Sequence, residues 1–440
     1  MRKISLLVLL AVLAPSCSGS QNNSGSGAGN DGQKTFGTGQ QIAGTDCMTA
    51  GEIKVDGTKR YICQGEGRQD HFQWDDGTSL DFSAQIPITL PVAPDTTPNG
   101  ITFENVMSHI SEIPKTAWQK IQDVIEKNPP LDVPHTLDVG PNTSSVTKTL
   151  EESLLSREFR LWEGFEQTNF LSIVAYNSKD TDWAQTQLKS VYQTKKYPAP
   201  QDPEMFLHLV QQTCSAFSKP GQVTGPMGDC DGGNAGAIEQ SDDSMEMLGI
   251  TIKDPKHPYD PTQSGLVSHE YTHTVQAAQF IGTASRARSY YVHIWTPCWL
   301  HEGQPNATGM AAASTSFEQY LSSRENSVMR GQIDPNFPGW SASALKQYLY
   351  SQITNESDPK SCYQNGPLYK MGYSVGMAAT EALVAIGGPE STMALIALQA
   401  NGNNFAESFV KVYGITWDEG STILGQVLAA EYAKDPFQSH

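Results

Sequence analysis

Leu266-Val267-Ser268-His269-Glu270-Tyr271-Thr272-His273-Thr274-Val275-Gln276 is the stretch on which the reading of the chain turns. It contains neither Gly nor Pro, so a helix can run through it unbroken. His269 and His273 are four residues apart. A helix turns by about 400° over that distance, so both imidazoles project from one face, one turn apart. This spacing suits two nitrogen ligands on a tetrahedral zinc ion. Glu270 then stands beside the metal rather than on it, where it can take a proton from a metal-bound water. Alone, the pattern also fits a solvated helix with two surface histidines.

Downstream, Trp299-Leu300-His301-Glu302-Gly303 offers a third ligand. The chain between the two segments is long enough for a loop and a second helix that returns to the metal. A carboxylate oxygen from Glu302 leaves one coordination position open, as a catalytic zinc site requires. His301 competes for this role, but adjacent helical residues diverge by about 100°, so only one of the two faces the ion. The bland alternative is an exposed Glu on a helix surface. Asn306, four residues after Glu302, and Asp260 are candidates to orient the histidine rings.

Together, HEYTHTVQ (269–276) and WLHEG (299–303) resemble the gluzincin, or peptidase-MA-like, zinc metallopeptidases, whose pattern is HExxH and then a Glu in a Trp-Leu-x-Glu-Gly setting. Leu368-Tyr369-Lys370-Met371-Gly372-Tyr373 resembles the Tyr-x-x-Gly segment of gluzincin aminopeptidases. That likeness implies that Tyr369 stabilises an oxyanion, with Tyr373 as the fallback. The end of the chain, Phe409 with Tyr413-Gly414-Ile415-Thr416-Trp417, resembles how such domains close. The resemblance implies an α+β, zincin-like metallopeptidase domain with a mainly helical C-terminal half. It further implies one Zn2+ per chain and a peptide or protein substrate cut as an endopeptidase would cut it. Two departures stand out. Pro305 lies where the family keeps a good helix former and predicts a kink after the ligand. No Gly-x-Met-x-Asn segment is present, since Met227 and Asn234 have the wrong spacing, so aminopeptidase specificity is not implied. Two other readings fit these residues: a non-catalytic, zinc-bearing binding or adhesion protein, and a zinc hydrolase of a non-peptide bond.

Upstream of the metal motif, residues 218–236 read as a Gly-rich loop, and Met245 to Ile252 alternates like a strand, expected at a sheet edge where an extended peptide can pair with it. Phe170 to Tyr176 is a short run of β-formers and reads as a buried strand. Apolar positions at helical spacing predict helices over 103–125, ended by Asn128-Pro129-Pro130, and from about Ser145. Helices are also expected over 264–281, 297–312, 342–355, 366–386, 391–400 and 421–434.

Closer to the N-terminus the composition changes. Residues 83–100 are rich in Pro and Thr and read as a linker that leads, with the first helix, into a catalytic domain spanning 146–440. Residues 46–82 read as a small β-hairpin module about Asp56-Gly57. Residues 18–45 are a Gly/Ser tether. Residues 1–17 combine Arg2 and Lys3 with an apolar run too short to span a bilayer, which reads as a signal peptide. The run ends at Cys17 in a setting that resembles a bacterial lipobox, so the chain is expected to be exported, either lipidated on Cys17 or simply secreted. Six further cysteines suit disulfides in an oxidising compartment. Six cysteines allow 15 pairings, among which sequence proximity favours Cys47 with Cys63 and Cys214 with Cys230, leaving Cys298 with Cys362. The 29 basic and 47 acidic side chains of the 440 residues give a net charge of −18, which argues against nucleic acid and against anionic membrane surfaces as partners. Oligomeric state is not legible in the sequence.

Overall fold

Helices dominate the protein, with small sheets set against them. The computed structural model describes residues 42–48, 53–56, 59–65, 72–74, 77–79, 84–143, 145–200, 204–213, 217–219, 222–223, 230, 232–238, 241–250, 261–281, 296–325, 339–351 and 371–433. Cys17, Cys214, Met227, Asp260, Cys362 and Tyr369 lie outside them, as do residues 1–41, which hold the expected signal peptide and most of the tether.

The N-terminal module is an antiparallel sheet of β1 (Asp46–Cys47), β2 (Ile53–Asp56), β3 (Lys59–Gly65), β4 (Phe72–Trp74) and β5 (Thr78–Ser79). Its order is β1-β4-β3-β2, with β5 paired to β3. The β2–β3 pair closes at Asp56 opposite Lys59, so the expected hairpin is present. Cys47 and Cys63 form a disulfide inside a core of their own with Ile42 and Trp74.

Residues 84–92 are not a free linker. Ala84, Ile86, Ile88, Leu90 and Val92 alternate with exposed positions and pack on the main core. This is a strand's period of two, hidden in the sequence by the interleaved Pro87 and Pro91. The backbone is tied down at both ends. Val92 N donates to Val412 O at 2.8 Å, and the Asn401 amide hydrogen-bonds both N and O of Ala84.

Helix α1 (Ile113–Lys127) is shorter than the expected 103–125 segment, and it buries Ile113, Ala117, Ile121, Val124 and Ile125 along one stripe. Phe103 lies before it as an aromatic anchor, edge-on to Phe409 and Tyr413. There follow β6 (His135–Val139), α2 (Ser145–Leu161), β7 (Leu171–Tyr176), α3 (Thr181–Lys195), α4 (Met205–Gln212), a short β8–β9 hairpin (Phe217–Lys219, Gln222–Val223), β10 (Gly232–Ala237) and β11 (Ser244–Gly249). The order β10-β11-β7-β6 defines the main sheet, with β11, β7 and β6 parallel and β10 antiparallel. As expected, β7 is buried throughout. β11 is not the edge strand: it lies between β10 and β7 and is buried at every position. Among the described strands the edge on that side belongs to β10, whose Gly-Gly-Asn-Ala-Gly-Ala composition carries no β-propensity and read as loop.

The C-terminal half contains α5 (Pro261–Ala278), α6 (Cys298–Ala313), α7 (Phe317–Arg324), α8 (Ala342–Ser351), α9 (Val375–Gly387), α10 (Pro389–Ala400), α11 (Phe405–Tyr413) and α12 (Trp417–Tyr432). α6 is sandwiched between α5 and α9 and is buried at nearly every position. Its Trp299 stacks on Trp417, with ring centroids 5.9 Å apart and planes 9° from parallel, and meets Phe405 edge-on. The aromatic residues near the chain's end therefore fix the helix that carries Glu302. Capping boxes at Asn404/Glu407 and Thr416/Glu419 start α11 and α12. α6 continues through Pro305 to Ala313 without a break in the helix. Cys230 and Cys298 are both buried and both disulfide-bonded.

Candidate metal centre

α5 places His269 and His273 one turn apart, and α6 brings Glu302 to them. The two Nε2 atoms are 3.1 Å apart, and Oε2 of Glu302 lies 3.6 Å from Nε2 of His269 and 3.4 Å from that of His273. These three distances define a triangle whose corners all lie about 2.0 Å from one common point, the length of a bond from a divalent ion to nitrogen or carboxylate oxygen. The group is buried and could hold a metal ion. The approach of α6 to α5 needs a missing side chain: a Cβ on Gly309 would stand 2.8 Å from the backbone N of His269.

The donors fit a cation. Glu302 is 1% exposed, and among the described residues no donor has hydrogen-bond geometry to either of its carboxylate oxygens. A buried charge left in that condition is strongly disfavoured unless a cation balances it. Burial alone would raise the Glu302 carboxyl, but the imidazoles of His273 and His269 hold it well below the usual carboxylate range. The effect on His273 is reciprocal. Burial works to lower its pKa, yet the carboxylate of Glu302 prevails and lifts it to about 9 in the metal-free protein.

Each ring is aimed by an amide. His269 Nδ1 is 2.8 Å from Oδ1 of Asn306, one of the two orienting residues expected from the sequence. His273 Nδ1 is 2.9 Å from Oε1 of Gln276, which the sequence reading did not single out, although its i+3 position on the same helix was available as a signal. His301 comes near without joining the group: its ring lies 4.5 Å from that of His273, and its Nε2 is 3.7 Å from Oε1 of Glu302, the oxygen turned away from the other two histidines. Tyr373, in a single 3-10 turn, stacks on His269 at 5.9 Å.

Glu270 points from α5 toward the edge strand. A Cβ on Gly233 of β10 would fall 2.1 Å from its Oε1, so the backbone of β10 lies directly against this carboxylate. Burial raises the Glu270 carboxyl, opposed by His269 and His273 and assisted by Glu302. A carboxylate shifted upward is better matched to proton transfer near neutral pH. Behind it stands a group of buried acids absent from any motif: Glu246 on β11, and Glu151 and Glu158 on α2. Burial raises Glu151 and Glu158 to about 8 and Glu246 well above the usual range, the last also through the charges of Glu270, Glu151 and Glu158. A Glu in the otherwise apolar run Met245-Glu246-Met247-Leu248 was the available sign.

No family model, no curated protein and no solved structure matches the chain.

Proposed function

We propose that the protein is a zincin-like, zinc-dependent peptidase in which His269, His273 and Glu302 hold the metal and Glu270 is the general base. The observation that carries this reading is the convergence of two imidazole nitrogens and one unsatisfied buried carboxylate on a single point, with a second carboxylate beside it. Two nitrogens and one oxygen are the donor set of catalytic zinc sites, which keep the fourth position for water. A zinc ion bound there would polarise a substrate carbonyl and acidify the attacking water.

The chain's own residues do the rest. Glu270 accepts the proton of the water on one oxygen and delivers it to the departing amine. Asn306 and Gln276 keep the two rings oriented. The backbone of β10 lies at an edge of the described sheet beside Glu270, where an extended peptide can add as a further strand. Tyr369 is assigned the oxyanion role by resemblance alone, and Tyr373, the fallback, stacks on His269. Export is part of the same proposal, supported by the buried disulfides and the apolar leader.

Glu270→Gln is the direct test. It keeps shape and metal ligands, so zinc content should hold at one per chain while cleavage of a mixed peptide library is lost. Unchanged cleavage would remove the peptidase reading. A wild type that binds zinc yet cleaves no peptide would favour the binding-protein or non-peptide alternatives.

A further inference from the structure

The hydrogen bond from His273 does not end at Gln276. The Gln276 Nε2 donates to Oε1 of Gln304 at 2.8 Å and to the backbone O of His301 at 3.1 Å. Gln304 Nε2 donates in turn to Oγ1 of Thr392 at 2.9 Å, and the Thr392 hydroxyl donates to Pro389 O at 2.7 Å. Gln276, Gln304 and Thr392 are fully buried.

The direction of this chain is fixed from its far end. A backbone carbonyl can only accept, so Pro389 O takes the hydroxyl proton of Thr392. That leaves Thr392 Oγ1 as the acceptor for the NH2 group of Gln304. The Oε1 of Gln304 is thereby turned to Gln276, whose NH2 group must face it, and whose Oε1 must face His273. A ring facing a carbonyl oxygen through Nδ1 carries its proton there and presents a lone pair at Nε2. Pro305 reinforces the arrangement. It has no N–H to donate to His301 O four residues back, which leaves that carbonyl open to Gln276. The shorter arm at His269 obeys the same logic, because Asn306 Nδ2 donates to Tyr373 O at 2.7 Å and its Oδ1 therefore faces the ring.

We infer that Gln304 and Thr392 are positioning residues for the metal centre: anchored on the Pro389 carbonyl of α10, they fix through Gln276 the Nδ1–H tautomer of His273 and so set the affinity for the ion. The inference rests on the metal reading above and adds to it residues two and three side chains removed from the metal.

The test uses Thr392→Val, which keeps the side chain's shape and removes both its donor and its acceptor. Zn2+ affinity of the full chain is measured by competition with a chromogenic chelator, alongside thermal unfolding of the metal-free protein. Loss of an outer-shell partner weakens metal binding by about 10–100-fold. Thr392→Val should fall near tenfold, Gln304→Met likewise, and Thr392→Ser should return to within about twofold of wild type. A purely structural role would lower the melting temperature and leave the dissociation constant alone, which would overturn the inference, as would equal affinities for Thr392→Val and Thr392→Ser. Should Thr392→Val not fold, Gln304→Met against wild type decides by the same readout. A wild type that binds no zinc would instead bring down the metal reading itself.

Discussion

Replacing Glu302 by Gln changes one buried charge and almost no volume, and its consequences can be worked out for the metal-free protein. In the wild type, burial works against the charged ring, and Glu302, helped by Glu270 and Gln276, lifts His273 from 6.5 to about 9. That difference corresponds to about 3 kcal/mol of preference for the imidazolium. Coulomb's law for unit charges 3.4 Å apart, at an effective dielectric constant of about 20, gives about 5 kcal/mol before the opposing desolvation, so the two figures agree in scale. Because the folded-state pKa is raised, this stabilisation is fully present below pH 6.5 and is lost as the pH climbs through 9. The assay is urea unfolding in excess chelator at several pH values between 6 and 9, wild type against Glu302→Gln. The difference in unfolding free energy should shrink by most of that ~3 kcal/mol over the window, and the His273 ring protons should titrate well below 9 in the variant, where only Glu270 and Gln276 still favour the charged ring. Parallel pH profiles for the two proteins, or a His273 pKa still near 9 in the variant, would refute the ion pair and with it the placement of Glu302 at the histidines.

Three further outcomes follow from other parts of the molecule. Gly233→Ala sets a methyl group against the Glu270 carboxylate and should lower peptide cleavage on the order of 100-fold while zinc content is kept; undiminished cleavage would show that β10 does not hold that carboxylate in place. Arg324 binds both oxygens of Glu381 through Nε at 2.8 Å and reaches Glu431 through Nη2 at 2.8 Å, so Arg324→Met strands a buried carboxylate and should destabilise the fold by about 3–5 kcal/mol in chemical denaturation. Burial raises Glu158 to about 8, so its stabilising contribution is complete below pH 4.5 and is lost toward pH 8; Glu158→Gln should remove about 1.4 kcal/mol per pH unit from the decline of stability over pH 5 to 8.

What the sequence disclosed, and what it hid, follows from the range of the interactions. His269, His273 and Asn306 were legible because helical geometry relates each to a neighbour four residues away: the two histidines to one another, and Asn306 to Glu302. Glu302 was legible through its surroundings, since Trp299 announces a buried helix and stacks on Trp417. β10 was not, because Gly and Ala form a strand there only through pairing with β11 and contact with Glu270, neither of which has a local signature. The strap at 84–92 was obscured by its prolines, which sit on the exposed side where no amide hydrogen is needed. α11 was legible and was passed over: Phe405, Ser408, Phe409, Val412 and Tyr413 recur at helical spacing behind the Asn404/Glu407 capping box, whereas α3 and α7 are less amphipathic. The relay through Gln304 to Thr392 joins residues 88 positions apart, and no spacing rule could have linked them.

The central claim, one cation held by two imidazoles and a carboxylate, is tested most directly by X-ray absorption at the zinc edge on protein purified without chelator. The account predicts about one zinc per chain in wild type, with two nitrogen ligands at about 2.0–2.1 Å and oxygen ligands completing the shell, and loss of the metal in Glu302→Ala. A wild type that retains no metal, or a shell of three imidazoles in which His301 replaces Glu302, would contradict it.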